Sequence, residues 1–160
     1  MTPDDRIRDL NLILPEPIKL PPNIEMQFSW VRVSGNRAFV SGHIALNADG
    51  SVSDIVGKVG EEVTVEEGYE SARQTGLAIL SSLKRELGTL NSISAWLRVF
   101  GMVNVAPGFV QTPSVINGFS DLILDVFGKE IGDHSRSAVG MAELPFGAPV
   151  EIEAEVEIST

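Results

Sequence analysis

Arg136-Ser137-Ala138-Val139-Gly140-Met141-Ala142-Glu143-Leu144-Pro145 leads into Val150-Glu151-Ile152-Glu153-Ala154-Glu155-Val156-Glu157-Ile158, two extended segments joined by a connection containing Pro and Gly. In the second segment four glutamates alternate with Ile152, Ala154, Val156 and Ile158. The period-two geometry of a strand therefore puts carboxylates on one side and aliphatic groups on the other. The first segment starts with a guanidinium, a permanently charged fork that can hold a small carboxylate through two hydrogen bonds. One expected strand opens on Arg136 and the next on Glu151.

Upstream of this pair the apolar period changes to that of helices. Thr64-Val65-Glu66-Glu67 is a capping box, and Tyr69, Ala72, Gly76, Ile79, Leu80, Leu83 and Leu87 follow as one stripe that Gly88 ends. Thr112-Pro113 opens a second helix, with Val115, Ile116, Phe119, Leu122, Ile123, Val126 and Phe127 as its buried stripe and Gly128 as its close. Between the helices, Ile93 to Val103 reads as a strand, with Trp96, Arg98 and Phe100 on one side and Ile93, Ala95, Leu97 and Val99 on the other. Neither side is plainly polar, which places this strand inside the sheet. A hairpin precedes them: Ile24 to Val33 alternates, Ser34-Gly35-Asn36 turns, and Arg37 to Ser41 resumes. After the Asn47-Ala48-Asp49-Gly50 turn, Val52 to Val59 adds a short or irregular strand.

The resulting order, ββ(β)αβαββ, is an α+β fold: a single mixed β-sheet with two helices packed on one face. Residues 1–23 form an N-terminal arm in which Pro15, Pro17, Pro21 and Pro22 prevent a long regular element, and residues 24–160 form the domain. The sheet's other face is left uncovered although several strands are apolar or mixed on both sides. Burial against further copies resolves this, so the expectation is a homo-oligomer with ligand sites where subunits meet.

Composition narrows the function classes. A formal charge of −10 opposes a nucleic-acid partner, because phosphate binding draws on basic patches. No apolar stretch approaches the roughly 20 residues that span a bilayer, and the acidic start, Asp4-Asp5, lacks the pattern of a secretory signal. No membrane association and a cytoplasmic location are expected. With no cysteine there is no disulfide and no thiol nucleophile. The histidines and acids show no metal-ligand spacing, and no Gly-rich phosphate loop is present, so neither metal nor cofactor is expected.

Ser41-Gly42-His43-Ile44, the helix from Glu67-Gly68-Tyr69 to Leu87-Gly88, Asn117-Gly118-Phe119-Ser120-Asp121, and Arg136-Ser137-Ala138-Val139 through Val150-Glu151-Ile152-Glu153-Ala154 together resemble the RidA/YjgF family over about residues 24–158. The resemblance implies a chorismate-mutase-like homotrimer with three inter-subunit clefts. It also implies hydrolysis of small reactive 2-imino or 2-enamino acids to 2-keto acids and ammonia. In that frame Arg136 matches the arginine that holds the substrate carboxylate, and Glu151 the glutamate that positions water. Phe28 falls where many members have tyrosine, and Ala138 where many have cysteine. Asn117 is matched to the cleft through the second-helix motif.

Other candidates stand beside bland alternatives. His134, two residues before Arg136, is either a proton relay or a loop histidine. Gly42 lets a backbone approach a ligand closely, with its own amide or that of His43 as donor, while the His43 side chain either packs or functions. Two functions therefore compete: an imine deaminase, and a non-catalytic trimer that binds small carboxylate metabolites through Arg136.

Overall fold

A computed structural model describes residues 1–159. Its five-stranded sheet comprises β1 (Val31–Ser34), β2 (Arg37–His43), β3 (Ile93–Asn104), β4 (Ser135–Met141) and β5 (Val150–Ile158), in the spatial order β1-β2-β5-β3-β4. Every pairing is antiparallel except β3 with β4, so the sheet is mixed as expected. Helices α2 (Val65–Leu87) and α3 (Thr112–Gly132) cover one face, and a short α1 (Pro3–Asp9) packs against α3.

The helix boundaries have local causes. The Thr64 side chain accepts from the Glu67 amide, and Glu67 accepts from the amide of Thr64. Gly88 ends α2 at a φ of 81°, a left-handed conformation that is cheap for glycine. The expected stripe of α3 is buried in full. Gly128 leaves the helical region at φ 71° and ψ 172°, but a further turn follows it to Gly132. The close expected at Gly128 is thus a break within α3.

Three other expectations change. The strand expected over residues 24–33 is confined to Val31–Ser34, and residues 24–30 run irregularly beside a cavity. The segment from Val52 to Val59 contributes only isolated bridges, Leu46 to Val52 and Val59 to Val63 and Val105. In β3 the facing shifts part-way, because register breaks at Ile93/Ala95 and Trp96/Arg98 allow Ile93, Trp96, Val99 and Val103 all to face the helices. Trp96 accordingly packs in the core, its ring 5.7 Å from that of Phe119 and 5.5 Å from that of Phe127, while Arg98 and Phe100 face away.

Residues 1–23 hold one short helix, α1, and are otherwise irregular. Thr2 and Asp5 form a capping box at the start of α1, and Asp4 binds Lys84 at 3.0 Å and also takes a hydrogen bond from Thr89. Farther along, Glu16 N–H donates to Ala48 O at 3.0 Å and Lys19 N–H to Gly50 O at 2.9 Å. The arm is therefore fastened first to α2 and then to the turn after β2. Among the described residues no helix is long and apolar enough to cross a membrane.

The sheet face away from α2 and α3 shows Phe39, Phe100, Met102 and Val139 among Arg37, Arg98, Glu153 and Glu155. Phe39 is 43% exposed, which is unusual for an aromatic in the middle of a sheet. Against the covered face, α3 approaches α2 so closely that a Cβ on Gly118 would stand 2.0 Å from the Tyr69 carbonyl oxygen. Because backbone cannot yield as a side chain does, Gly118→Ala is expected to destabilise the fold by about 3 kcal/mol or more, at or beyond the upper end of ordinary overpacking. Urea unfolding of the variant measures this.

Candidate functional site

β4 lies at the sheet edge and carries Arg136 toward α3. The guanidinium Nη1 donates to Asn117 Oδ1 at 2.9 Å and to Ser120 Oγ at 3.0 Å, and Nη2 donates to Pro113 O at 3.4 Å. All three acceptors sit on the first turns of α3, so the helix fixes the fork's direction. Among the described residues no carboxylate lies within ion-pair distance of Arg136. Partial burial lowers its pKa and Asp121 opposes that effect, but an arginine stays cationic at neutral pH.

His134 acts on Arg136 through a serine. Its Nδ1 lies 2.6 Å from Gly132 O, an atom that only accepts, so Nδ1 carries the proton. In the neutral ring Nε2 is then an acceptor for the Ser120 hydroxyl at 2.9 Å, and that hydroxyl oxygen takes the Arg136 hydrogen bond. This geometry gives His134 a place that neither reading offered, as an orienting group for the arginine. Ser120 belongs to the motif around Asn117 but was not among the expected site residues. Its position three residues after Asn117 on one helix face was the available signal.

Glu151 projects from the opposite side of the sheet. Arg136 pairs with Val99, Val99 with Ala154, and Glu151 with Met102, so the two charged groups are offset along the sheet as well as facing apart. One chain does not bring them together. Glu151 instead lies beside a kink in β2. Val40 pairs with Ala154 and His43 with Ile152, so Ser41 and Gly42 together stand opposite Glu153. This two-against-one bulge turns both Val40 and His43 into the core. A Cβ on Gly42 would stand 2.9 Å from Glu151 Oε1, so the bare glycine backbone makes room for the carboxylate. Burial, and secondarily the charge of Glu153, raise the Glu151 pKa.

Around Glu151 opens a cavity of about 290 Å³ whose walls include Phe28, Trp30, Gly42, His43, Ile44 and Phe146. The Phe28 ring is 5.1 Å from that of Trp30, edge to face, and Trp30 is 5.0 Å from the His43 ring. His43 is held much as His134 is. Nδ1 lies 2.6 Å from Ser41 O and Nε2 lies 2.8 Å from Ser82 Oγ, which also accepts from Arg85 at 3.2 Å. Burial, with a smaller contribution from Arg85, pushes the His43 pKa down to about 4. It is therefore neutral at physiological pH, with its polar atoms committed inside the fold. Sequence reasoning missed Ser82 and Arg85, since serine and arginine near a helix end ordinarily mark a solvated face.

The candidates thus form two groups. Phe28, Gly42, His43 and Glu151 share the cavity, whereas Arg136, Asn117 and His134 share the edge of β4 and the start of α3. Among the described residues no cluster of three or more histidines or acids is placed to hold a metal.

Comparison with known proteins agrees with this frame. The family model described as "YjgF/chorismate mutase-like, putative endoribonuclease" matches residues 13–150. Protein TCP17 of Trypanosoma cruzi is 40% identical over 144 residues, covering 89% of this chain and 89% of that protein. The crystal structure of Atu1372 from Agrobacterium tumefaciens, a protein of unknown function, has a TM-score of 0.86 at 36% identity, covering 99% of this chain and 93% of that one. A "putative endoribonuclease" of Shewanella oneidensis has a TM-score of 0.87 at 28% identity and is matched over its whole length, with 99% of this chain covered. With the sheet order, the covering helices and the family model in agreement, the chain belongs to the RidA/YjgF, chorismate-mutase-like family.

Proposed function

We propose that this protein is a cytoplasmic, homotrimeric deaminase that hydrolyses reactive 2-imino acids to 2-keto acids and ammonia, with each active site shared between two subunits. The observation that carries the reading is the Glu151 carboxylate held over Gly42 at the wall of an apolar cavity, its pKa raised by burial. A base of that kind is better matched to neutral pH than an ordinary glutamate. Arg136 supplies what the cavity lacks. It stands at a sheet edge, oriented by Asn117 and Ser120 and with no ion-pair partner among the described residues, so it can reach into the cleft of an adjacent copy. The exposed Phe39 and its apolar neighbours on the uncovered sheet face supply a surface for that assembly.

In this scheme Arg136 of one subunit grips the substrate carboxylate and so aligns C2 with a water beside Glu151 of the next. Glu151 takes a proton from the water as the oxygen bonds to C2. That proton passes to nitrogen to give a carbinolamine; Glu151 then carries the hydroxyl proton to the amino group, the C–N bond breaks as the C=O bond forms, and ammonia departs to leave the keto acid. The net charge of −10 and the apolar lining speak against RNA as the substrate, despite the endoribonuclease description of relatives. One observation favours the competing reading of a carboxylate-binding trimer without turnover: Phe28 offers no hydroxyl at the cavity to assist a water. Loss of imine generated in situ, followed with and without protein, decides between them.

Because the general base must be deprotonated, activity is expected to fall as pH drops through the raised pKa of Glu151, above the ordinary glutamate range. Glu151→Gln should lower kcat by about 10²–10⁴-fold and abolish that acidic limb. A pH–rate profile of both proteins tests it. Arg136→Ala should lower kcat/KM by about 100-fold, the worth of a two-pronged charge-assisted contact of about 3 kcal/mol. His134→Ala, acting through Ser120, should raise KM more than it lowers kcat. Mixing the Arg136→Ala and Glu151→Gln chains by joint refolding should restore about a quarter of the wild-type sites if each site draws on two subunits. No recovery in verified mixed oligomers would show that the two residues do not share a site across subunits.

A further inference from the structure

The cavity beside Glu151 is larger and drier than a site for a two- or three-carbon substrate needs. Its volume of about 290 Å³ is roughly ten times the liquid volume of one water molecule. Ile18, Met26, Ile44 and Leu46 supply much of its apolar wall. The polar groups nearest them are already engaged. The His43 nitrogens are taken by Ser41 O and Ser82, and Arg85 donates to Ser81, Ser82 and Pro15 O. Nothing on that wall calls for a polar partner except Glu151, which has its assigned task.

Ile18 belongs to the arm, and the arm is fixed where it passes the cavity. The backbone hydrogen bonds of Glu16 and Lys19 to the turn after β2 flank it, and the arm lies against Gly50 so closely that a Cβ there would stand 2.2 Å from Pro17 O. The wall is therefore rigid and does not collapse onto a small ligand.

We propose that this cavity is the subsite for the substrate's side chain, and that the protein acts preferentially on 2-imino acids with bulky apolar side chains, branched aliphatic or aromatic, rather than on those with methyl or ethyl groups. The proposal rests on the deaminase reading for its chemistry but not for its geometry. A methyl group leaves most of the cavity unfilled, whereas isobutyl or benzyl buries several further carbons against Ile18, Ile44 and Leu46. Each buried methylene is worth about a fourfold gain in affinity.

The test combines turnover with binding on the intact chain. Imines with methyl, ethyl, isobutyl and benzyl side chains are generated in situ and their decay is timed. Binding of pyruvate, 2-oxobutanoate, 4-methyl-2-oxopentanoate, phenylpyruvate and 2-oxoglutarate is measured by calorimetry. The expected result is a preference of at least about tenfold for isobutyl and benzyl over methyl in kcat/KM, with the keto acids binding in the same order. Ile18→Trp, which fills the cavity from the arm side, should shrink that ratio, and Met26→Trp is the second variant should the first fold poorly. If no imine is consumed yet keto acids bind in this order, the deaminase reading fails and the subsite stands. If imines are consumed with methyl equal to or ahead of isobutyl and benzyl, the subsite is overturned and the deaminase stands. Tightest binding of 2-oxoglutarate would overturn it in favour of an acidic side chain on Arg85. Absence of any binding would overturn it as well.

Discussion

Where α3 crosses α2, only hydrogen fits between the Cα of Gly118 and the carbonyl of Tyr69. The same tightness recurs on either side of α3, with Leu122 and Phe119 over Gly76, and Ile116 over Gly101 of β3. Interiors packed to crystal density transmit displacement rather than absorb it, so the helix has one seat. Gly118 lies between Asn117 and Ser120, the two α3 side chains that hold Arg136. The contact that fixes the helix pair thus also fixes the direction of the guanidinium.

The two histidines repeat one arrangement at opposite ends of the molecule. Each imidazole gives its Nδ1 proton to a backbone carbonyl two residues earlier and takes a serine hydroxyl at Nε2, and each serine oxygen in turn takes an arginine N–H. In both cases a ring fixed by two hydrogen bonds anchors a flexible cation at little entropic cost on binding. The two ends differ in their neighbours. Arg85 lies along an apolar cavity with Glu151 on another wall, while Arg136 lies on an edge strand with no carboxylate at hand. Each half has what the other lacks.

Legibility from sequence followed the periodicity of the elements. The two long helices, the alternation of β5 and the inner placement of β3 could be read because apolar residues there keep a single period for many turns or pairs. What escaped was where the period slips. Trp96 and Arg98 were expected on one side of β3, but a register break sends Trp96 inward. In β2 the Ser41-Gly42 pair within a strand was a legible sign of a bulge, yet its consequence, His43 turned inward and Glu151 lying over Gly42, depends on β5 pairing 109 residues later and so on long-range contact. Likewise the capping box of Thr2 and Asp5 was present in the sequence, but the prolines after it dominated the reading and hid α1. Arg136 and Glu151 were legible as residues because of the motifs that contain them. Ser120, Ser82 and Arg85 were not, since polar side chains on a helix look alike until the fold shows what they touch.

The first 23 residues stand apart from Arg136 and the α3 side chains that orient it. They touch α2, α3 near Gly128, the turn after β2 and the cavity wall, and neither Arg136 nor Asn117. If the cavity admits the substrate as proposed, chains of this fold can diverge in the molecules they admit by drift in a terminal segment, while Arg136 and the side chains that orient it stay under separate constraint. On that reading one part of acceptance, the wall at Pro17 and Ile18, is inherited apart from the reactive groups, so a preference can shift without a passage through an inactive ancestor.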